Sequence, residues 1–332
     1  MVRPGQRGIR LLSSAVTHVG RVRHNNEDNV HLWGDDNYVL AIVADGMGGA
    51  AAGEEASRIA VETVQQHMIN GVYTNPHDYE DIEEYDLAEK LETAVREANL
   101  NILKRAVMRP EFRGMGTTLT MAFTRHTNVI LAHVGDSRAY MVDGHDGHIS
   151  QITTDHSFVQ ALVDAGHITP DEAENHPMGN VLYRALGQSA DLDIDLIQDV
   201  RLQVGDRMIL CSDGLTLHIK PPEIASIAMS STDPNTISQQ LIDLANARGG
   251  KDNISVIVIL VGEDGANKVL DAAEAELEMT LQETKDPTLP TSSTHPATLH
   301  AYTASARKFS YGVWHSFNTT YGEGQDTYEP PQ

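Results

Sequence analysis

The sequence is short of several things. One cysteine in 332 residues leaves no internal disulfide, so stability has to come from a packed core, and a reducing cytosol is the expected compartment. Positive charge is scarce: 24 Lys and Arg stand against 47 Asp and Glu, a formal net charge of −23. Nucleic acid is excluded as a partner on that ground, because a polyanion would approach against the field and no basic run offsets it; an anionic membrane surface is disfavoured likewise. Long apolar runs are missing. Stretches such as 254–261 reach eight residues, against roughly 20 needed to cross a bilayer. Residues 1–10 carry Arg3, Arg7 and Arg10 with no apolar segment behind them, so no secretory leader is expected. With 40% hydrophobic and 21% charged residues, the composition is that of a globular protein of one large domain or two ordinary ones.

Hydrophobic patterning predicts strands over 9–19, 28–33 and 38–44, the last ending abruptly at Asp45-Gly46. From Gly53 the period changes to 3.6, with Ala56, Ile59, Ala60, Val64 and Met68 on one face. A second helix is predicted over 86–107. The acidic link 71–85 between them reads as solvated loop. Runs at 117–124, 128–134 and 138–142 predict an antiparallel meander. Residues 155–187 read as a mobile surface element with a short helix at 158–165. A strand at 207–211, an amphipathic helix at 236–247 and the most β-rich run, 254–261, complete the pattern. This order implies an α+β fold with helices packed on antiparallel sheets. Beyond about Gly262 come a possible helix at 268–283, a Thr/Ser/Pro linker to about 298, and a tail with Tyr302, Phe309, Tyr311, Trp314, Phe317 and Tyr321. That tail either packs back or forms a docking segment.

Three acidic residues share one architectural position. Asp45 follows the run 39–44, Asp213 follows 208–212, and Asp252 precedes 254–261. A carboxylate at a strand tip is held rigidly while its oxygens stay accessible. Any one Asp-Gly or Asp-Asn is better read as a turn. Three in one chain, joined by Glu27, Asp28 and Asp136, point instead to convergence. Carboxylates gathered at a point repel one another unless cations intervene, so bound metal is predicted. The donors are oxygens, which favours Mg²⁺ or Mn²⁺ over Zn²⁺, and two ions are expected. Arg23, four residues before Glu27, offers a guanidinium fork suited to a phosphate.

Other motifs fail. The glycines of 45–53 do not fit GxGxxG and no phosphate-loop Lys follows; they read instead as positions where backbone approaches a metal or ligand. Ser212 stands in Cys-Ser-Asp-Gly, not in a GxSxG elbow. The 16 histidines contain no HExxH, and most read as surface or structural. Cys211, inside an apolar strand, reads as an inert thiol.

Taken together the segments Arg23-His24-Asn25-Asn26-Glu27-Asp28, Asp45-Gly46-Met47-Gly48-Gly49 with Gly53-Glu54, Gly114-Met115-Gly116-Thr117-Thr118, Val134-Gly135-Asp136-Ser137-Arg138, Asp155-His156-Ser157, His176-Pro177, Arg184-Ala185-Leu186-Gly187, Ser212-Asp213-Gly214-Leu215 and Asp252-Asn253 resemble the metal-dependent type 2C Ser/Thr protein phosphatases in their bacterial form. The resemblance covers residues 8–262, the implied catalytic domain, and leaves 263–332 as a C-terminal extension. It implies an α/β/β/α sandwich of two antiparallel sheets flanked by helices. It also implies that Asp45 bridges two metals, that the Gly46 carbonyl and Glu27, through water, complete one shell, and that Asp213 and Asp252 hold the other ion. Asp28 would act through water or from behind, Asp136 would share a third, weaker ion with Asp213, and Arg23 would bind the phosphoryl group. Paired cations acidify water to a pKa of roughly 7, so hydroxide is available without a side-chain base. Residues 155–187 resemble the family's variable flap. Met47 stands where many eukaryotic relatives carry a histidine proposed as general acid. Ala50 and Gly179 likewise depart from a common histidine and a common basic residue.

The expected activity is hydrolysis of phosphoserine and phosphothreonine in proteins, opposing a bacterial Ser/Thr kinase, by a cytoplasmic monomer. The expected partners are that kinase and its substrates. A catalytically silent phospho-binding regulatory module of the same fold is the alternative; a structural Ca²⁺ protein is a third reading, without an EF-hand loop to support it.

Overall fold

Strands that are apolar at every position need cover on both faces, which antiparallel sheets seldom provide. Here two sheets and two helical layers provide it. The computed structural model describes residues 8–69, 75–174 and 176–263; the possible helix, linker and aromatic tail expected beyond Gly262 lie outside the described residues. Along the chain come β1 (Ile9–His18), β2 (Asp28–Gly34), β3 (Tyr38–Met47), α1 (Ala50–Met68), α2 (Glu84–Met108), β4 (Gly116–Thr117), β5 (Leu119–Arg125) and β6 (Asn128–Val134). Then follow β7 (Arg138–Val142), β8 (Ile149–Gln151), α3 (Phe158–Asp164), α4 (Pro170–Glu174) and β9 (Asp195–Arg201). The last elements are β10 (Arg207–Cys211), α5 (Asp213–Thr216), α6 (Pro221–Met229), α7 (Pro234–Ala247) and β11 (Ile254–Glu263). One sheet has the order β1-β11-β10-β7-β8, the other β2-β3-β5-β6-β9 with β4 added to β3, and every pairing is antiparallel.

Alternation along each strand sorts its side chains between layers. From β3, Leu40, Ile42 and Ala44 join Ala56, Ala60, Val64, Leu91 and Val95 of α1 and α2. Its other face, Val39, Ala41 and Val43, meets Met208, Leu210, Ile257 and Ile259 of the opposite sheet. The outer face of that sheet, with Ile209, Val256 and Val258, packs on Ile237, Leu241 and Ala245 of α7. The expected four-layer α+β sandwich is therefore what the chain forms. Among the described residues no helix is long and apolar enough to cross a membrane.

Three sequence expectations need correction. β7 does not continue a meander: β5 and β6 pair in one sheet, whereas β7 pairs with β10 in the other. Tyr140 and Val142 are thereby buried among the α6 and α7 side chains, a burial that the place beside β6, taken by β9 with no buried position, would not give. β3 does not stop at Asp45 but runs on to Met47, because Gly46 and Met47 pair with Thr117 and Gly116. The acidic link is not all solvated: Pro76–Tyr79 forms a 3-10 turn whose Tyr79 is fully buried, its hydroxyl donating to the Met68 carbonyl. The short strands β8 and β9 and the helix α6 were not legible in the hydrophobic pattern.

Truncation of Leu210 in the inter-sheet layer, where it is 0% exposed, should lower stability by about 2–5 kcal/mol. Val107→Ala, at a side chain that is 85% exposed, should change it by less than about 0.5 kcal/mol. Urea unfolding checks the pair; equal midpoints would refute the layer assignment.

Candidate metal centre

All eight residues singled out by the sequence lie at one end of the sandwich. Strand register places Asp28, the first residue of β2, opposite Asp45 near the end of β3. In the other sheet Cys211 pairs with both Arg138 and Val256, so the turns holding Asp136, Asp213 and Asp252 share one edge. The two ends meet through Asp28: its Oδ2 accepts from the Ser212 and Ser255 hydroxyls, each at 2.7 Å, across the sheet interface. Ser212 Oγ also accepts the Ser255 N–H at 3.0 Å. Both serine protons are thus committed to one carboxylate oxygen.

The Arg23–Glu27 loop is held by Asn253. Its Oδ1 accepts from Glu27 N at 2.8 Å, and its Nδ2 donates to the Val19 and Asn25 carbonyls at 2.9 Å each. Arg23 Nη2 donates to Asp252 Oδ2 at 2.8 Å, and Nη1 stands 3.8 Å from Glu27 Oε1, with the arginine side chain 48% exposed. Gly46 and Gly53 are glycine because of close approach: a Cβ on Gly46 would lie 2.2 Å from the Gly53 carbonyl oxygen, and one on Gly53 would lie 2.0 Å from Glu27 Oε2. Only hydrogens at both positions let strand β3, helix α1 and Glu27 converge. Asp45 is clamped through its backbone, its N–H donating to Thr118 Oγ1 at 2.9 Å and its carbonyl accepting from Thr117 Oγ1 at 2.8 Å and Thr118 N at 2.9 Å.

The electrostatics are those of crowded acids. Burial, reinforced by Asp28, Asp213, Asp136 and Asp252, holds the Asp45 carboxyl well above the usual range. Burial lifts Asp28 to about 7, with Asp213 and Asp252 adding to the rise and the two serine hydroxyls opposing it. Asp136 rises to about 8 through burial and its neighbours Asp213 and Asp155. Asp213 rises to about 6, through burial and then Asp252, against a hydrogen bond with Asp45. Glu27 is also raised, chiefly by burial. Burial alone would lower Arg23, but Asp252, Glu27 and Asp213 carry it above its ordinary value. Asp45, Asp136, Asp213 and Asp252 each keep part of their surface open to solvent, so the cluster is reachable from outside.

Do these residues fit hard divalent cations? The donor set is all oxygen. Asp28 Oδ1 is buried without a hydrogen-bond partner, and an orphaned carboxylate oxygen is stabilised by a cation. Asp45 and Asp213 face each other within hydrogen-bonding reach, a contact that needs a proton or a cation between them. The residues fit on these grounds. Among the described residues, no three His, Cys, Asp or Glu side chains already stand as a formed ligand shell; Asp252 leans instead on Arg23.

Sequence reasoning quoted Ser212, Asn253, Thr117 and Thr118 only as parts of motifs, passed over Ser255, and gave none of them a role. The available signal was adjacency, since three of them flank Asp213 or Asp252 within three residues. The flap residues 155–187 are anchored at both stems. Arg138 Nε and Nη2 chelate the Asp155 carboxylate at 2.7–3.1 Å, the His156 N–H donates to the Gly135 carbonyl at 2.7 Å, and Leu186 exchanges two backbone bonds with Thr117.

Comparison with known proteins gives the family. The model of the family protein phosphatase 2C matches residues 18–246. Serine/threonine phosphatase stp of Listeria monocytogenes is 37% identical over 262 residues, covering 77% of this chain and 98% of that protein. The crystal structure of the Mycobacterium tuberculosis serine/threonine phosphatase PstP/Ppp superposes with a TM-score of 0.67 at 38% identity, over 76% of this chain and 99% of that one. The PstP catalytic domain in complex with two manganese ions gives a TM-score of 0.63 at 37% identity, with coverage of 76% and 99%. With a family model matched over residues 18–246 and a relative 37% identical over 77% of this chain, the chain belongs to the protein phosphatase 2C family.

Proposed function

We propose that the chain hydrolyses phosphoserine and phosphothreonine in proteins, using Mn²⁺ or Mg²⁺ held by Glu27, Asp28, Asp45, the Gly46 carbonyl, Asp213 and Asp252, with Asp136 and Asp213 available to a third ion. The single observation that carries this reading is the convergence of those donors with Arg23 at one solvent-reachable end of the fold. When bound, the ions supply acidified water and offset charge on the phosphoryl oxygens. The chain's own groups do the rest. Arg23, already aimed at the cluster by Asp252, presents its fork to the phosphoryl oxygens. The Thr117 and Thr118 clamp keeps Asp45 from shifting, and Ser212 with Ser255 fixes Asp28 and joins the two sheets' contributions.

We further propose that the catalytic domain spans 8–262, with 263–332 as an extension, and that the protein acts as a cytoplasmic monomer on phosphorylated proteins, including a Ser/Thr kinase and its substrates. A catalytically silent module is disfavoured, because every donor is present, and Glu27, Asp28, Asp45 and Gly46 are each positioned by hydrogen bonds or close packing.

Hydrolysis of a phosphothreonine peptide should require Mn²⁺ and vanish with EDTA and in Asp45→Ala; activity that survives both refutes the metal reading. Ser212→Ala should weaken Mn²⁺ activation about 10- to 100-fold, measured as the Mn²⁺ concentration for half-maximal rate. Arg23→Ala should lower kcat/KM for the peptide by about 10- to 100-fold, the value of a charged hydrogen bond.

The raised carboxyls also set a pH dependence of stability. Asp28, Asp136 and Asp213 titrate at about 7, 8 and 6 in the fold, above their ordinary value of 3.8. The folded chain therefore binds more protons than the unfolded one across that window, and stability falls as pH rises. Thermal melts in EDTA should show Tm declining between pH 5 and pH 8, and Mn²⁺ should remove most of the decline; a Tm that climbs over that range in EDTA would contradict the site's electrostatics.

A further inference from the structure

Beside the metal centre lies a polar cavity of about 510 Å³, lined by His18, Gly20, Arg21, Asp243 and Asn246. None of these residues belongs to the cluster described above, yet the two sites share a wall. Arg21 N donates to the Gly250 carbonyl at 2.7 Å, and a Cβ on Gly20 would stand 2.1 Å from the Asp252 carbonyl oxygen. Two residues further on, Arg23 holds Asp252 itself.

The lining is a set of partly spent hydrogen-bonding groups. Arg21 Nε donates to the Asn246 carbonyl at 3.0 Å, which fixes the guanidinium and leaves its two Nη groups with no protein partner among the described residues. His18 Nδ1 accepts from Gly20 N at 2.9 Å and lies 3.3 Å from Asn246 Nδ2, so in the neutral ring the hydrogen is on the exposed Nε2. Asn246 is only 6% exposed and its Oδ1 is enclosed, 2.6 Å from where a Cβ on Gly250 would stand, so it belongs to the floor of the cavity. The reachable acceptor is Asp243, exposed at the rim and accepting from Gln239 Nε2 at 2.9 Å. Donors for an anion beside a rim acceptor for a backbone N–H match an acidic residue within a peptide better than a free anion, which Asp243 would repel with nothing gained in return.

Position selects the peptide. Arg21 and Arg23 are two residues apart, so their backbones lie within about 7 Å, and an extended peptide advances about 3.3 Å per residue. A chain whose phosphoryl group is on Arg23 would bring a residue two to four positions away to Arg21. In a protein of net charge −23, an uncommitted guanidinium here is also the local offset that an acidic substrate needs.

We propose that this cavity is an accessory substrate subsite that takes a carboxylate-bearing residue two to four positions from the phosphorylated one, with Arg21 as the specificity-determining contact. The proposal rests on the phosphatase reading above. The test uses the full chain with Mn²⁺ and matched phosphothreonine peptides carrying Glu or Gln at those positions, on either side. The readout is the ratio of kcat/KM within one enzyme preparation, so that any difference in the amount of folded enzyme cancels. The wild-type ratio should favour Glu by about fivefold, the upper range for an exposed ion pair. Arg21→Gln should bring it close to one, and Asp243→Asn, which removes a like charge, should raise it. Opposite movements in two neighbouring variants are not what a merely structural role produces. A wild-type ratio near one, or a ratio that survives Arg21→Gln, overturns the subsite while leaving the phosphatase reading intact. Hydrolysis of neither peptide overturns both.

Discussion

Repulsion among buried carboxylates is the constraint on which this structure turns. Burial first, and then the charges of acidic neighbours, raises the affinity of Asp28, Asp45, Asp136 and Asp213 for protons. Left to itself such a cluster would push its strands apart. Its position is secured by the rest of the fold: three apolar layers set the sheets, and backbone clamps on Asp45 and Glu27 bring the acids close without relying on attraction between them. Stability is thus spent to create a place where a divalent cation is strongly favoured. A phosphate dianion can approach a protein of net charge −23 only where the local sign is reversed, and the same cluster that repels it bare attracts it once cations are bound.

Asp28 shows how the two sheets are made one site. It belongs to β2, yet both hydroxyls on its Oδ2 come from the opposite sheet, Ser212 at the end of β10 and Ser255 in β11. Removing the serines would leave an acid in a low-dielectric interior with fewer donors. The bond pair therefore ties catalytic geometry to the register of the sandwich, since a one-residue slip of β11 against β10 would turn Ser255 to the other face.

Most of the central framework was legible because periodicity reports burial directly. The runs at 38–44, 207–211 and 254–261 are strands close to where their apolar residues predicted, and α7 carries Ile237 and Leu241 inward as read. What escaped was set by partners distant in sequence. Gly46 and Met47 become strand only because Gly116 and Thr117 lie alongside, and β7 leaves its neighbours for β10 because Tyr140 and Val142 gain burial there. β9 has no buried position at all, so no pattern marks it. In the site, acidic residues beside glycine or asparagine stood out as exceptions to the apolar runs. The serines, threonines and Asn253 that hold them look like ordinary turn residues until their hydrogen bonds are seen.

The flap shares this dependence on the site's own loops. His156 accepts the Gly135 N–H on Nδ1 at 3.0 Å, so its hydrogen is on Nε2 and is directed to Asp195 Oδ2 at 3.1 Å. The nearby His133 is held neutral by burial, its pKa lowered to about 4, with Nε2 donating to the Thr154 carbonyl. Neither imidazole is free to serve as an acid. Met47, with a thioether in contact with Gln188 Nε2 at 3.8 Å, offers no proton either. The stems at Asp155 and His156 bond Arg138 and Gly135, which flank Asp136, and the stem at Leu186 bonds Thr117, whose hydroxyl holds the Asp45 carbonyl. Rearrangement of the flap that leaves those bonds intact is accordingly confined to the span between the stems.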